Sequence, residues 1–201
     1  MPGYSMHMHA LILSLALAAQ PKAPELDCPG GSTAKERTTP EAREAWCEDG
    51  DGLRHGTRRA WYPDGTPWFI GAYERGKRTG EWQFWYPSGA RMSSGTYRND
   101  KLHGAFTRWH DGAGKSVTGA CAGGVADGLW TRWTPNERKE IEVTFADGKP
   151  TIQLYYSRRS TPIPLDDFLA EKARGATPGS KRYEMARERY AEGSLFEECK
   201  N

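Results

Sequence analysis

A glycine recurs every 24 residues, at Gly56, Gly80, Gly104 and Gly128, and a tryptophan follows each one five positions later, at Trp61, Trp85, Trp109 and Trp133. Half of the chain's 8 tryptophans fall on that single offset. Self-similarity at a fixed short period is the mark of a stacked array, in which each unit buries its apolar side against its neighbours. The repeat therefore constrains the fold more than any local motif does. Arrays of this kind build surfaces, and nothing resembling a reaction centre accompanies this one.

Each unit holds two short runs of strand-forming residues separated by turn chemistry. The first turn reads Tyr62-Pro63-Asp64-Gly65 and returns as Tyr86-Pro87-Ser88-Gly89. Proline presets φ, and the glycine accepts the positive φ that follows. The third unit has His110-Asp111-Gly112-Ala113-Gly114 in that place, and the fourth puts Glu137 where the turn glycine belongs. The second turn, at Arg75-Gly76, Asn99-Asp100, Gly123-Gly124 and Asp147-Gly148, uses residues that mostly tolerate left-handed backbone. Two strands and two reversals per unit predict a mainly β fold, an antiparallel meander of four 24-residue hairpin units. Eight strands at about 4.8 Å spacing give a sheet roughly 38 Å across.

Identical offsets bring each tryptophan of the ladder over its counterpart in the next unit, at an expected cost of about 3–5 kcal/mol for removing one that is well buried. A second ladder runs through Tyr73, Tyr97, Cys121 and Phe145. Trp82 and Trp85 are three residues apart, which in a regular strand places them on opposite faces. Either the array uses both faces, or a bulge turns one ring over.

The ends are of different character. Residues 10–19 form the one strongly apolar run, too short to span a bilayer, and Ala16-Leu17-Ala18 fits a signal-peptidase site. The expected organisation is a signal peptide over 1–19, a cysteine-bounded segment over 20–48, the array over 49–150, and an edge strand with a helical tail over 151–201. Export to the periplasm, cell envelope or exterior permits disulfides. Cys28 and Cys47 bracket a polar stretch with little folding capacity of its own, and a bridge between them contributes roughly 3 kcal/mol. Cys121 is read as a small buried hydrophobe in preference to a partner of Cys199. Leu165–Arg174 and Ser180–Glu192 read as short helices capping the array, with Asp166 and Asp167 at a helix start and Tyr183, Ala186 and Tyr190 docking over the last hairpin.

The unit Gly-x-Trp-x-x-Trp-Tyr-Pro-x-Gly, followed by a second strand and Gly-Lys-x-x-Gly, resembles the MORN repeat over residues 53–150. It is closest to the bacterial variant found in YwqK-type antitoxins. The resemblance implies a scaffold that binds proteins or membrane lipid.

No catalytic, metal or cofactor site is expected. His55 and His103 share one repeat position, which points to a common turn role, and His110 with Asp111 lacks the further ligands that zinc needs. With 28 basic and 26 acidic residues, nothing favours nucleic acid. Basic residues do alternate with aromatics, so Arg108 and Arg132 are expected to form a short row with Arg59 as a neighbour. That row is the candidate binding face, for an unidentified protein partner or an anionic lipid surface. The competing reading is that the arginine stems merely cover ring edges. A neutralising role against a toxin is the alternative function.

Overall fold

The structure is a computed structural model that describes residues 26–190 and 196–200. The proposed signal peptide lies outside these described residues.

A single twelve-stranded antiparallel sheet carries the chain in strictly sequential order. Its strands are β1 Thr33–Thr38, β2 Arg43–Glu48, β3 Arg54–Trp61, β4 Pro67–Glu74, β5 Lys77–Trp85 and β6 Arg91–Arg98. They continue as β7 Lys101–Trp109, β8 Lys115–Ala122, β9 Val125–Trp133, β10 Lys139–Ala146, β11 Lys149–Tyr156 and β12 Pro162–Ile163. Two helices follow, α1 Leu165–Lys172 and α2 Lys181–Tyr190, then a 3-10 turn over Glu198–Lys200. The sheet exceeds the eight expected strands at both ends. Residues 33–48, which lack the periodic glycine and tryptophan, form a hairpin that pairs with β3.

The turns follow their residue chemistry. Gly65 and Gly89 take φ of 89° and 83°, and Gly65 N–H closes onto the Tyr62 carbonyl at 2.9 Å. Glu137 is held at φ 57° in the fourth unit's version of that turn. Both residues of each second turn are left-handed, including Arg75 at 47° and Asp147 at 49°.

The periodic glycine has a separate task. Between β4 and β5, Ile70 pairs with Gln83 and Ala72 with Thr79, so two steps on one strand oppose four on the other. The same excess recurs between β2 and β3, β6 and β7, and β8 and β9. Each bulge contains one repeat glycine, at φ 107°, 65°, 99° and 68° for Gly56, Gly80, Gly104 and Gly128. Positive φ at a bulge is what glycine supplies at least steric cost.

Register separates the two faces. Ala60, Phe69, Phe84, Ser93, Arg108, Val117 and Arg132 lie in one row across the sheet. Their chain neighbours Arg59, Ile70, Gln83, Ser94, Thr107, Thr118 and Thr131 form the row on the opposite side. The first face is the core. Trp82, Phe106 and Trp130, two residues after their repeat glycines, are buried there. Each packs back onto a glycine of the preceding unit: Trp82 onto Gly71, Phe106 onto Gly95 and Trp130 onto Gly119. A Cβ at Gly71 or Gly119 would overlap the indole above it. The indole N–H groups donate to the Ala72 and Ala120 carbonyls at 3.2 and 2.9 Å.

The helices close this face at its C-terminal end. Phe168 of α1 meets Tyr155 of β11 at 5.0 Å between ring centroids, and Tyr190 of α2 meets Phe168 at 5.3 Å. Tyr183 and Ala186 are buried as expected of a cap, although it is α1 that lies against the last full strand. Tyr183 also donates its hydroxyl to Asp166 at 2.6 Å.

Two disulfides clasp opposite faces. Cys28–Cys47 fixes the N-terminal residues beside Leu26, Ala45 and Trp61, in a small cluster separate from the main core. Cys121–Cys199 ties the tail to β8 on the core face, so Cys121 is bridged where a lone buried hydrophobe was expected. Two bridges mark a protein of an oxidising, non-cytoplasmic compartment. Among the described residues no helix is long and apolar enough to cross a membrane.

Candidate binding surface

Trp61, Trp85, Trp109 and Trp133 are half-buried and lie at the Tyr-Pro turn end of the face opposite the core. Their position corrects the sequence expectation. No ring contact joins one to the next among the described residues, and the deeply buried tryptophans are Trp82 and Trp130. The reason is strand alternation: each lies three residues after an inner position with no bulge in its own strand between them, so it faces the other way. Phe84 pairs with Ser93 and Trp85 with Arg91, which leaves Met92 as an extra residue, and the matching irregularity recurs at Trp61, Trp109 and Trp133. Of the two alternatives the first holds: the array uses both faces, and the bulge lies on the facing strand, where it turns neither ring over.

The repeat locks three of these tryptophans, Trp85, Trp109 and Trp133, through their backbone. Tyr62 donates its hydroxyl to the Trp85 carbonyl at 2.9 Å, and Tyr86 does so to Trp109 at 2.8 Å. His110 Nε2 stands 3.0 Å from the Trp133 carbonyl, occupying the tyrosine's place in the third unit. Cations then lie over the rings. The Arg43 guanidinium is 5.2 Å from the Trp61 centroid, Arg91 5.3 Å from Trp109, and the Lys139 ammonium 5.9 Å from Trp133. Such pairs contribute about 0.5–1 kcal/mol at exposed sites. The result is a row of aromatic plates with basic edges, spaced by one repeat. At its C-terminal end the same face carries exposed Leu129, Ile152 and Leu154.

Glu142 connects that apolar end to the row. It is a buried carboxylate, and burial alone would raise its pKa, yet hydrogen bonds from Lys139 and Tyr156 outweigh this and lower it. Tyr156 donates its hydroxyl to Glu142, and that bond, together with burial, pushes the phenol up to about 12. A raised phenol stabilises the fold fully below the ordinary value near 10 and loses that contribution as pH climbs from 10 to 12. The stability gap between wild type and Tyr156→Phe is therefore expected to narrow over that interval, measured by urea unfolding. A gap independent of pH between 9 and 12 would contradict this coupling.

The three arginines read as one face do not share one. Arg59 lies in the row opposite Arg108 and Arg132. On the core face Val117 separates the other two, and the tail engages both. Arg108 bridges Glu198 at 3.2 Å, and Arg132 stands 5.7 Å from the Phe196 ring centroid. Arg108 also lies 5.9 Å from the Phe106 centroid, which is the ring-covering role. The histidines behave as their shared position implied: His55 Nδ1 accepts from Arg75 N–H at 3.3 Å, and His103 Nδ1 from Gly123 N–H at 3.2 Å. What sequence reasoning missed is the tail. Phe196 and Glu198 lie outside the repeat, and only the placement of Cys199 nearby signalled that this segment is fastened to the array.

Residues 78–99, spanning β5 to β6, match the MORN repeat variant family. This is the second unit, where the repeat pattern is fullest. No curated protein matches the chain significantly. Among solved structures, the crystal structure of TarM is 9% identical with a TM-score of 0.31, covering 61% of this chain and 21% of its own. The Glycosylation Associate Protein (Gap123) complex from Streptococcus agalactiae is 9% identical with a TM-score of 0.21, covering 83% of this chain and 26% of its own. The chain thus spans about a fifth to a quarter of the solved chains it matches.

Proposed function

We propose that this chain is an exported, non-catalytic scaffold that binds a protein partner through its outer tryptophan row. The row itself supports the reading most strongly. A single exposed aromatic needs no explanation, but four at constant spacing, three of them held through their backbone carbonyls, form a surface of the kind that contributes most at interfaces. MORN repeats are commonly binding scaffolds, and the two disulfides agree with a working life outside the cytoplasm. A protein partner is favoured over anionic lipid because several of the cations are already held over rings.

The test uses Arg91→Glu with Lys115→Glu, two exposed positions paired in register with Trp85 and Trp109. Wild type is expected to capture a defined partner from envelope or extracellular fractions, and the double variant to lose at least tenfold in affinity with its melting temperature lowered by no more than about 4 °C, the loss of the Arg91 contact with Trp109. A partner retained equally by both would refute the assignment of the face. Salt-sensitive sedimentation with anionic vesicles, without any protein partner, would replace this reading with the lipid one. The intact mass of protein recovered from those fractions tests export: a species beginning near Ala19 or Gln20 supports it, and a full-length cytoplasmic species refutes it.

A further inference from the structure

A second series at the 24-residue interval runs beside the outer tryptophans. Arg43, Arg91, Lys115 and Lys139 each open a strand, at the heads of β2, β6, β8 and β10, and Pro67 opens β4 at the same interval. Register sets this series between the rings. Trp61 pairs with both Arg43 and Pro67, Trp85 with Arg91, Trp109 with Lys115 and Trp133 with Lys139. Because the strands follow one another in sequential order, cation and ring alternate from β2 to β10, and the alternation breaks only at Pro67.

The consequence of that one proline is felt at Trp85. Arg43 lies over Trp61, Arg91 over Trp109 and Lys139 over Trp133. Although Arg91 pairs with Trp85 in register, its guanidinium turns to Trp109. Among the described residues no cation lies over Trp85, and its indole has no ring partner and no hydrogen bond. Trp85 is half-buried and Pro67 is exposed. Proline is admitted at the first position of a strand, and its ring is shorter than the long side chains that head the other four strands. A notch floored by Pro67 therefore separates Trp61 from Trp85. Neighbouring strands are about 4.8 Å apart, so a charge held above Pro67 stands roughly 5 Å from the strand of either tryptophan. Arg43 and Arg91 meet their own rings at 5.2 and 5.3 Å. Like charge at this spacing is already accommodated, since Arg91, Lys115 and Lys139 follow one another two strands apart and salt screens over about 8 Å.

We infer that the notch between Trp61 and Trp85 takes an arginine or lysine side chain of the partner protein. The incoming charge stands where the repeat elsewhere places its own, over Pro67 and against Trp85. A neutral polar side chain of the same length lacks the charge that the ring face attracts, and a carboxylate brings the opposite sign. The inference rests on the proposed function for the source of that charge.

The probes are acetyl-Gly-Arg-Gly-amide, its lysine counterpart and the neutral acetyl-Gly-citrulline-Gly-amide, titrated into the full oxidised chain and followed by the indole N–H resonances. The two cationic peptides are expected to shift Trp85 most and Trp61 less, and to leave Trp109 and Trp133 in place. They should bind at least about fivefold more tightly than the citrulline peptide, since two rings face the charge. Pro67→Arg, which supplies the cation from the chain itself, should remove the response. That variant is expected to fold, because Arg91 already heads β6 at the corresponding position. No response at Trp85, equal shifts at all four outer indoles, equal affinity for the citrulline peptide, or a response that survives Pro67→Arg would each overturn the assignment. The peptide ratio and the indole pattern decide the question on wild type alone. No partner is needed, so failure here leaves the tryptophan row to be judged by Arg91→Glu with Lys115→Glu, whereas failure there removes the partner and not the measured preference.

Discussion

Trp130→Ala lowers the unfolding free energy by about 3–5 kcal/mol, whereas Trp133→Ala, three residues along the same strand, costs less than about 2 kcal/mol. Both outcomes follow from which face each ring occupies. Trp130 is fully buried, lies over Gly119, stacks on Phe106 with centroids 6.1 Å apart, and satisfies its indole N–H on the Ala120 carbonyl. Truncation there opens a cavity above a glycine that has no side chain to move into it, so relaxation recovers little. It also leaves the unit-to-unit contact without its largest element. Trp133 is half-buried, with one long hydrogen bond to Thr118 at 3.4 Å and Lys139 over its ring. Water replaces much of what it loses. Urea unfolding of the two variants checks this directly. Comparable losses at both positions would mean that the outer row is structural, and would remove the main support for its role as a binding surface.

The same pair of tryptophans shows where the sequence was legible and where it was not. Strands, turns and antiparallel order followed from the 24-residue interval, because glycine and proline act locally and their effects are visible one turn at a time. Facing did not follow. Recurrence of Trp61, Trp85, Trp109 and Trp133 establishes that the positions are equivalent, but equivalence is the same on either side of a sheet. The side is decided by which of the alternating positions the core covers, and the bulges at Trp68, Met92, Ser116 and Glu140, four residues with nothing in common to announce them, obscure the pairing beside each outer ring. A better guide existed in Gly71, Gly95 and Gly119, which recur at the same period and leave room for the inner rings. In the first unit the inner position is Arg58, bound to Glu44 at 2.8 Å, and this hid the inner ladder. The hairpin at 33–48 was illegible for a simpler reason. Its Ala45 and Cys47 bury a little area each and carry no periodic mark. The arginine row was misread because its chemistry is completed by Phe196 and Glu198, residues distant in sequence whose approach no local rule encodes.

Replacing Cys121 and Cys199 together with serine should destabilise the protein by roughly 4 kcal/mol, against roughly 3 for the Cys28 and Cys47 pair. The difference follows from sequence separation, 78 residues for the first bridge and 19 for the second, since a longer closed loop removes more freedom from the unfolded chain. For a chain of this size the larger loss corresponds to a fall in melting temperature of roughly 8–16 °C. The topology adds to this contrast. Every strand pairs with its sequence neighbours, so the sheet itself has almost no contacts between distant segments of chain. Such an array can fray from an end, because losing one hairpin leaves the others paired. The tail reverses this by joining residue 199 to β8 across two helices and four strands, so that the last units can open only together. Without the bridge, Phe196 and Glu198 must hold the tail alone, and amide exchange in β9 to β11 should accelerate more than in β3 to β6. Uniform acceleration along the sheet would show instead that the array unfolds as one unit with or without its clasp. A melting temperature within about 2 °C of wild type would show that the bridge fastens only the tail, because an entropy difference of that size cannot vanish if the clasp closes the fold.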